Sequence, residues 1–396
     1  MFLRHSGNMV GGIRDGGWLN RERVTRAAIV GALLGAGLLV LLYATATGTL
    51  DAFGRPLGTD FSVFWSAGRI ADQGMAPMAW NPGWLTSAMR SAHHSQAIEA
   101  SAWLYPPVFL LAAALLAMLP YPIALLLFQL ASLAAIAITL RLILRERFAL
   151  LVALASPLTP LVLAGGQNAL ITAALLGSGL LMLGTRPLVA GALLGSLVYK
   201  PQLALLLLPL LLVTRSWKAL AAAALSASVL VGASLILWGP EAWRAFVASV
   251  PLGRGFMETG AVGFYKSASL FAAMRMWGAD LGLAYGMQAL GLVLALALLW
   301  RLRASPPLVR GAGACAGVAL STPYLLDYEL ATVGVGAAML FAQARRDGFL
   351  PWERSTLALI WIAPLFVRPI AQALLLPLGQ ATILLVAFLA WRRRDG

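Results

Sequence analysis

The sequence carries very little charge for its length. Only 11% of its 396 residues are Asp, Glu, Lys or Arg, whereas 60% are hydrophobic. Soluble domains carry about 25% charged residues, so this composition excludes a water-soluble enzyme and a disordered chain. It predicts an all-α protein, a polytopic transmembrane helical bundle that forms one domain over residues 1–396.

Cysteine and histidine are almost absent. The one cysteine, Cys315, lies in an apolar run and has no second cysteine for an internal disulfide, which excludes a disulfide scaffold. The chain has no CxxC pair, and its three histidines are His5, His93 and His94. We therefore expect no metal site and no cofactor.

Uncharged runs between the charged residues predict about twelve spans, because a spanning helix needs about 20 apolar residues. Residues 27–50 are uncharged and longer than the core of a signal peptide, so they predict an uncleaved first helix. Residues 100–140 are too long for one helix, and their prolines divide them into a short helix at about 108–119 and a span at about 122–141. Residues 148–185 predict two helices joined by a polar turn. Further spans are expected at about 187–199, 202–214, 218–238, 282–300, 309–323, 329–344, 355–372 and 374–391.

The net charge of +14 indicates orientation. If the 108–119 helix does not cross, 20 of the 29 basic residues and six of the 15 acidic ones lie on one side, and nine of each lie on the other. Basic residues collect in cytoplasmic loops, so we expect both termini, including the tail 1–25, in the cytoplasm. The plasma (inner) membrane would then present two outer loops, at about 47–121 and 239–281, and the first contains residues typical of interfacial helices.

Polar groups at this outer boundary are the candidates for chemistry, since they are costly there unless they face a watery cavity. Asp60 follows the first span, where it is either a catalytic base or a helix N-cap. Tyr105 precedes two prolines, which also predict a rigid elbow. Gln167 and Asn168 follow two glycines, and their amides suit sugar hydroxyls, although Asn168 has helix capping as its alternative role.

The outer cations and a second pair of acids complete the set of candidates. Lys200 lies between two runs that are too short to cross, so its turn is expected inside the bundle, with snorkelling to lipid phosphate as the alternative. Asp327 and Glu329 lie where a helix is expected to begin, and Asp327 has capping as its alternative role. Lys266 and Arg368 either join a site or contact lipid headgroups.

Six short motifs occur in the order of a known family. The chain resembles glycosyltransferase family 87, and is similar to its polyprenol-phosphate-mannose-dependent mannosyltransferases, from about residue 58 to residue 335. The motifs are GTDFSVFW, LYPP, GGQN, YKPQ, WGPEAW and TPYLLDYE. The resemblance implies a GT-C-like fold with its active site at the outer face, in the periplasm or the exterior.

The resemblance also implies a reaction. An acid of the first outer loop, here Asp60, is expected to act as general base in an inverting transfer of a hexose, mannose in the best-known members, from a polyprenyl-phosphate donor to a glycolipid or glycan. Such a hexosyltransferase needs no nucleotide site, which agrees with the lack of a Rossmann glycine fingerprint and of a DxD motif. The expected partners are these substrates and membrane lipids, without nucleic acid. The alternatives are a transporter or flippase of lipid-linked sugars and a non-catalytic assembly factor.

Position alone, without the resemblance, divides the other candidates into two groups. The cations are expected to bind the donor phosphate, and the remaining polar residues to bind sugar or acceptor. The first group is Lys200, Lys266 and Arg368, and the second is Tyr105, Gln167, Asn168, Gln202, Asp327 and Glu329.

Overall fold

The computed structural model describes residues 11–146 and 149–394. Apart from three isolated β-bridges, the regular structure of these residues is helical, as the composition predicts. The α-helices are α1 (Arg21–Ala44), α2 (Thr59–Asp72), α3 (Pro82–His93), α4 (Pro107–Ala117), α5 (Tyr121–Leu144), α6 (Ala149–Ala155), α7 (Leu158–Gly165), α8 (Ala169–Met182), α9 (Pro187–Gly195), α10 (Pro201–Ala204), α11 (Leu207–Val213), α12 (Trp217–Thr259), α13 (Leu270–Met276), α14 (Leu281–Leu302), α15 (Pro307–Ser321), α16 (Leu330–Asp347), α17 (Glu353–Ile362), α18 (Val367–Leu374) and α19 (Leu378–Arg392).

Within the described residues, four helices are long and apolar enough to cross a membrane, namely α1, α5, α12 and α14. A fifth span is formed if α17 and α18, which bend by 73° at their junction, are counted together. The predicted total of about twelve spans is therefore not confirmed. Large apolar side chains on α1 and α12 are exposed, among them Leu33 at 67% and Ile236 at 86%, as expected of helices that face lipid.

Proline and glycine explain why many of the predicted spans are short helices. Pro157 separates α6 from α7, Gly166 ends α7 in a left-handed conformation with φ 63°, and Pro201 follows the 3₁₀ turn Ser196–Tyr199. Proline has no backbone N–H and clashes with the preceding turn, so a helix breaks there. Broken helices at membrane depth occur where the backbone is sheltered by protein or lines a cavity.

The centre of the bundle is formed by α15 and α16, whose side chains are mostly buried. The loop between them contains the 3₁₀ turn Asp327–Glu329 and lies at the N-terminal end of α16. Around this centre, α9 packs closely on α12, because Gly191 and Gly195 let the Ala219 and Ala223 backbone approach. Small residues four apart commonly allow such close helix packing in membranes.

The first predicted outer loop is largely helical, and it contains α2, the 3₁₀ turn Ala76–Trp80, α3 and α4. The second, predicted from residue 239, begins where Gly239 (φ 69°, ψ 177°) kinks α12. The two segments contact each other, with the rings of Trp80 and Phe246 6.4 Å apart. The two predicted outer segments therefore pack against each other.

Candidate active site

Asp60 lies in the first turn of α2. Gly58 occupies the N-cap position with φ 67°, and no side chain caps this helix. The N-cap alternative for Asp60 is therefore wrong. The carboxylate is left available for other contacts, close to the helix N-terminus, whose free N–H groups favour negative charge.

The glycine pair 165 and 166 forms a turn that closes on the start of α2. The N–H of Gly58 donates to the carbonyl of Ala164 at 3.2 Å. A Cβ on Gly166 would overlap Phe61, and one on Gly165 would lie 3.3 Å from Oδ2 of Asp60. Glycine is required at position 166, because its φ is positive and a Cβ there would overlap Phe61.

Burial and nearby cations have opposite effects on Asp60. Desolvation raises the pKa of the Asp60 carboxyl to about 6, while a hydrogen bond from Gln167 and the charges of Arg368, Lys200 and Lys266 act to lower it. Residues from four distant parts of the chain thus converge on one carboxylate. A carboxylate with a raised pKa is a stronger base, yet it is still ionised at neutral pH.

Two of the three cations are already paired with carboxylates. Lys200, 2% exposed, donates to Oε1 of Glu329, and Arg368 donates from Nη2 to Oδ1 of Asp327 at 2.8 Å and from Nε to Oδ2. Lys200 therefore does not snorkel, and Asp327 does not cap α16. Each pair is electrically neutral, so neither Lys200 nor Arg368 adds net positive charge around Asp60.

Lys266 differs from the other two cations. It is half-buried, and no carboxylate partner for it is found in the part of the chain that the structure describes. The chain after Lys266 is held to the loop after α15 by two hydrogen bonds. The N–H of Ala268 donates to the carbonyl of Leu325 at 2.7 Å, and the Ser267 hydroxyl donates to the same carbonyl at 2.9 Å. Lys266 thus carries the positive charge of this cluster that remains free to meet an anion.

Polar and aromatic candidates surround the same carboxylate. The hydroxyl of Tyr105 donates to Oδ1 of Asn168 at 3.4 Å, and Gln167 donates to the hydroxyl of Tyr328 at 3.0 Å. Tyr105 and Tyr328 both lie within the field of the Asp60 charge.

Two buried atoms of this group have no hydrogen-bond partner within residues 11–146 and 149–394, namely Nδ2 of Asn168 and Oε2 of Glu329. Buried polar atoms are almost always paired, so the cluster has both a donor and an acceptor to offer to a ligand. The side chain of Gln202 makes no hydrogen bond to any described residue, so its contact with sugar or acceptor stays a prediction. Asn168 lies at the start of α8 but makes no side-chain capping bond.

Comparison with known proteins places the chain in a family. The sequence model of glycosyltransferase family 87 matches residues 103–326, more than half of the chain. No curated protein and no solved structure matches. Tyr105, Asn168, Lys200 and Lys266 lie inside the matched range, and Asp60 lies before it.

His93 supports the start of α2, and sequence reasoning did not assign it a role. Its Nε2 contacts the Ser62 hydroxyl at 2.7 Å and its Nδ1 contacts the Thr49 hydroxyl at 2.8 Å, while its ring stands edge-on to Tyr121 at 4.6 Å. Burial lowers the pKa of His93 to about 4, so the ring is neutral and has one donor and one acceptor. A lone histidine in an aromatic loop offers no periodic pattern from which this role could be found.

We expect His93→Phe to destabilise the protein. The substitution keeps a ring against Tyr121 but removes both hydrogen bonds and leaves the buried Ser62 hydroxyl unpaired, which costs about 1–3 kcal/mol. Thermal unfolding in detergent should show a lower midpoint for this variant. The control is His94→Asn at the exposed neighbouring position, which should unfold like the wild type; equal midpoints for the two variants would contradict the role of His93.

Proposed function

The chain belongs to glycosyltransferase family 87, and we propose that it transfers a hexose, in the first instance mannose, from a polyprenyl-phosphate donor to a glycolipid or glycan acceptor. The alternative of a transporter has no specific observation in its favour. The observation that carries the proposal is the convergence of three separated cations on the buried Asp60 carboxylate. This arrangement suits a reaction in which a proton is removed beside a departing phosphate.

Asp60 is the general base in this proposal. Its carboxylate takes the proton of an acceptor hydroxyl while that oxygen attacks the anomeric carbon, and the bond from this carbon to the phosphate oxygen breaks. The leaving polyprenyl phosphate is stable as an anion, so no general acid is needed. One carboxylate therefore suffices where glycosidases use two, and a single displacement inverts the anomeric centre.

Lys266 is the proposed contact of the donor phosphate. Lys200 and Arg368 are each neutralised by a carboxylate, whereas Lys266 has none among the described residues. A cation that is fixed beforehand next to the bond that breaks stabilises the charge that develops there. Arg368 is 36% exposed in its pair, so it contributes its remaining N–H groups to the same anion.

Asn168 and Glu329 are the proposed contacts of sugar hydroxyls. Their unpaired atoms are a donor and an acceptor, and a hydroxyl group satisfies either kind. Tyr105 and Tyr328 add hydroxyls and ring faces around Asp60. A hexose with several hydroxyls suits this mixture better than an apolar substrate does.

A small apolar cavity of about 20 Å³ lies beside the cluster. It lies between the end of α12 and the loop after α15, and Tyr324, which lies in the field of Asp60, forms part of its wall. Other walls come from Phe256, Phe264 and Phe271. A cavity of this volume holds about one water molecule, so a polyprenyl tail enters it only if these walls move apart.

We expect Asp60→Asn to lower the turnover of donor by a factor of about 10² to 10⁴, the usual contribution of a general base. The amide is nearly the same size as the carboxyl but does not accept the proton. The measurement is transfer of labelled mannose from polyprenyl phosphate mannose in membranes that contain the protein. Asp72→Asn, an exposed acid on the same helix, is the control and should keep wild-type activity; wild-type transfer by Asp60→Asn would refute the assignment.

The rate should also depend on pH with a single ascending limb. Because the base form of Asp60 is the ionised one and burial raises its pKa to about 6, kcat/KM should be flat above pH 7. It should fall about tenfold for each pH unit below 6. The same assay across pH 5 to 8 tests this, and a profile that rises towards acid pH would require a different base.

A further inference from the structure

The end of the bundle opposite Asp60 contains a second cavity. It has a volume of about 240 Å³ and lies where the C-terminal ends of α5 and α16 meet. Its lining residues are Ile143, Leu144, Arg145, Glu146, Ala342, Arg345 and Arg346. Three arginines and one glutamate leave it with a net positive charge.

Two helices, α5 and α16, run from the proposed active site to the cavity, and their lengths give the distance between the two sites. The first residue of α5, Tyr121, donates to the carbonyl of Gly58 at 3.2 Å, and α5 then runs 24 residues to Leu144, about 36 Å at 1.5 Å per residue. The 18 residues of α16 run from Glu329 to the same cavity, about 27 Å. These lengths match a bilayer core, so the cavity lies at the other membrane surface, which the charge distribution predicts to be cytoplasmic.

The arginines of the cavity are not equivalent. Arg345 donates to Oε1 of Glu146, which joins the end of α16 to the segment after α5. Arg145 and Arg346 have no carboxylate partner among residues 11–146 and 149–394. The cavity therefore has one fixed pair and two guanidinium groups that are free to meet an anion.

Arg145 has a backbone conformation that places the segment after α5 against the end of α16. It ends α5 with φ 55°, a left-handed conformation that residues other than glycine rarely adopt. This turn directs Arg145 and Glu146 towards the end of α16. Ile143, Leu144 and Ala342 provide an apolar wall beside the charged rim.

We infer that this cavity binds a phosphate group, at a site separate from the proposed donor site. Arginine is the side chain that best matches phosphate, since its planar group donates two parallel hydrogen bonds. Basic pockets between helices at the cytoplasmic surface bind anionic lipid headgroups in other membrane proteins. The apolar wall beside the arginines suits the glycerol and upper acyl carbons of a phospholipid.

A general attraction of basic loops to anionic lipid would bind lipid more weakly and would depend less on the arginines of the cavity than on basic residues as a whole. This difference makes the inference testable. Arg186 and Arg301 are suitable controls. They are exposed and lie outside the cavity. Arg301 also lies in the last turn of its helix, as Arg346 does, so the two share the same favourable helix dipole.

The experiment measures lipid binding to the purified full chain by native mass spectrometry, with thermal unfolding as a second readout. The probes are phosphatidylglycerol, phosphatidylcholine and inorganic phosphate, all at one ionic strength. We expect wild type to retain phosphatidylglycerol in preference to phosphatidylcholine and to unfold at a higher temperature in its presence. The double variant Arg145→Gln/Arg346→Gln should bind about 25-fold more weakly, since each of the two basic residues contributes about a fivefold factor.

The outcomes are distinct. Stabilisation by phosphatidylglycerol and not by inorganic phosphate identifies a lipid headgroup, and equal stabilisation by both identifies free phosphate. The control variant Arg186→Gln/Arg301→Gln should keep the wild-type preference. The inference is overturned if neither phosphatidylglycerol nor inorganic phosphate binds, or if the Arg145/Arg346 variant retains full binding. It is also overturned if the control variant loses as much binding as the Arg145/Arg346 variant.

Discussion

A carboxylate enclosed by protein has to be balanced by positive charge, and the end of the bundle that contains Asp60 is arranged around that requirement. Asp60 is desolvated, and Lys200, Lys266 and Arg368 lie close enough to offset part of the effect. Two of these cations bring their own carboxylates, Glu329 and Asp327. The balance leaves one acid and one cation unpaired, which is the minimum needed to remove a proton and to receive a phosphate.

The fold serves this arrangement by bringing broken helices to one end. The turn at Gly165 and Gly166 closes on α2, and the loop after α15 is joined to Ser267 and Ala268. Each of these breaks would expose backbone groups if it faced lipid. They are tolerated here because neighbouring segments of the protein pair with them, through the bonds from Gly58 to Ala164 and from Ala268 to Leu325. The proposed active site is thus a consequence of where the helices are interrupted.

Much of the site was accessible from the sequence, because charged residues in an apolar chain stand out. Asp60, Lys200, Lys266 and Arg368 were all selected as costly groups at a membrane boundary, and the structure brings them together. The pairing of Lys200 with Glu329, 129 residues apart, was not accessible, since nothing local specifies which acid meets which base. Gln202 lies two residues after Lys200, and no hydrogen bond links its side chain to the described residues of the cluster.

The helical class and the positions of the long helices followed from uncharged runs, whereas the number of spans did not. Residues 122–141 were expected to cross, and α5 does have the required length and apolarity. Elsewhere a run of apolar residues does not distinguish a spanning helix from two short buried ones, as α10 and α11 illustrate. No local pattern indicates the role of His93, because its partners Ser62 and Thr49 lie in other segments.

The most direct test of the account is a structure of the Asp60→Asn variant with polyprenyl phosphate mannose bound. The account predicts a donor phosphate within hydrogen-bond distance of Nζ of Lys266. It also predicts that the residue 60 side chain lies on the far side of the anomeric carbon from that phosphate, as inversion requires. A donor phosphate held away from Lys266, with residue 60 remote from the anomeric carbon, would contradict it.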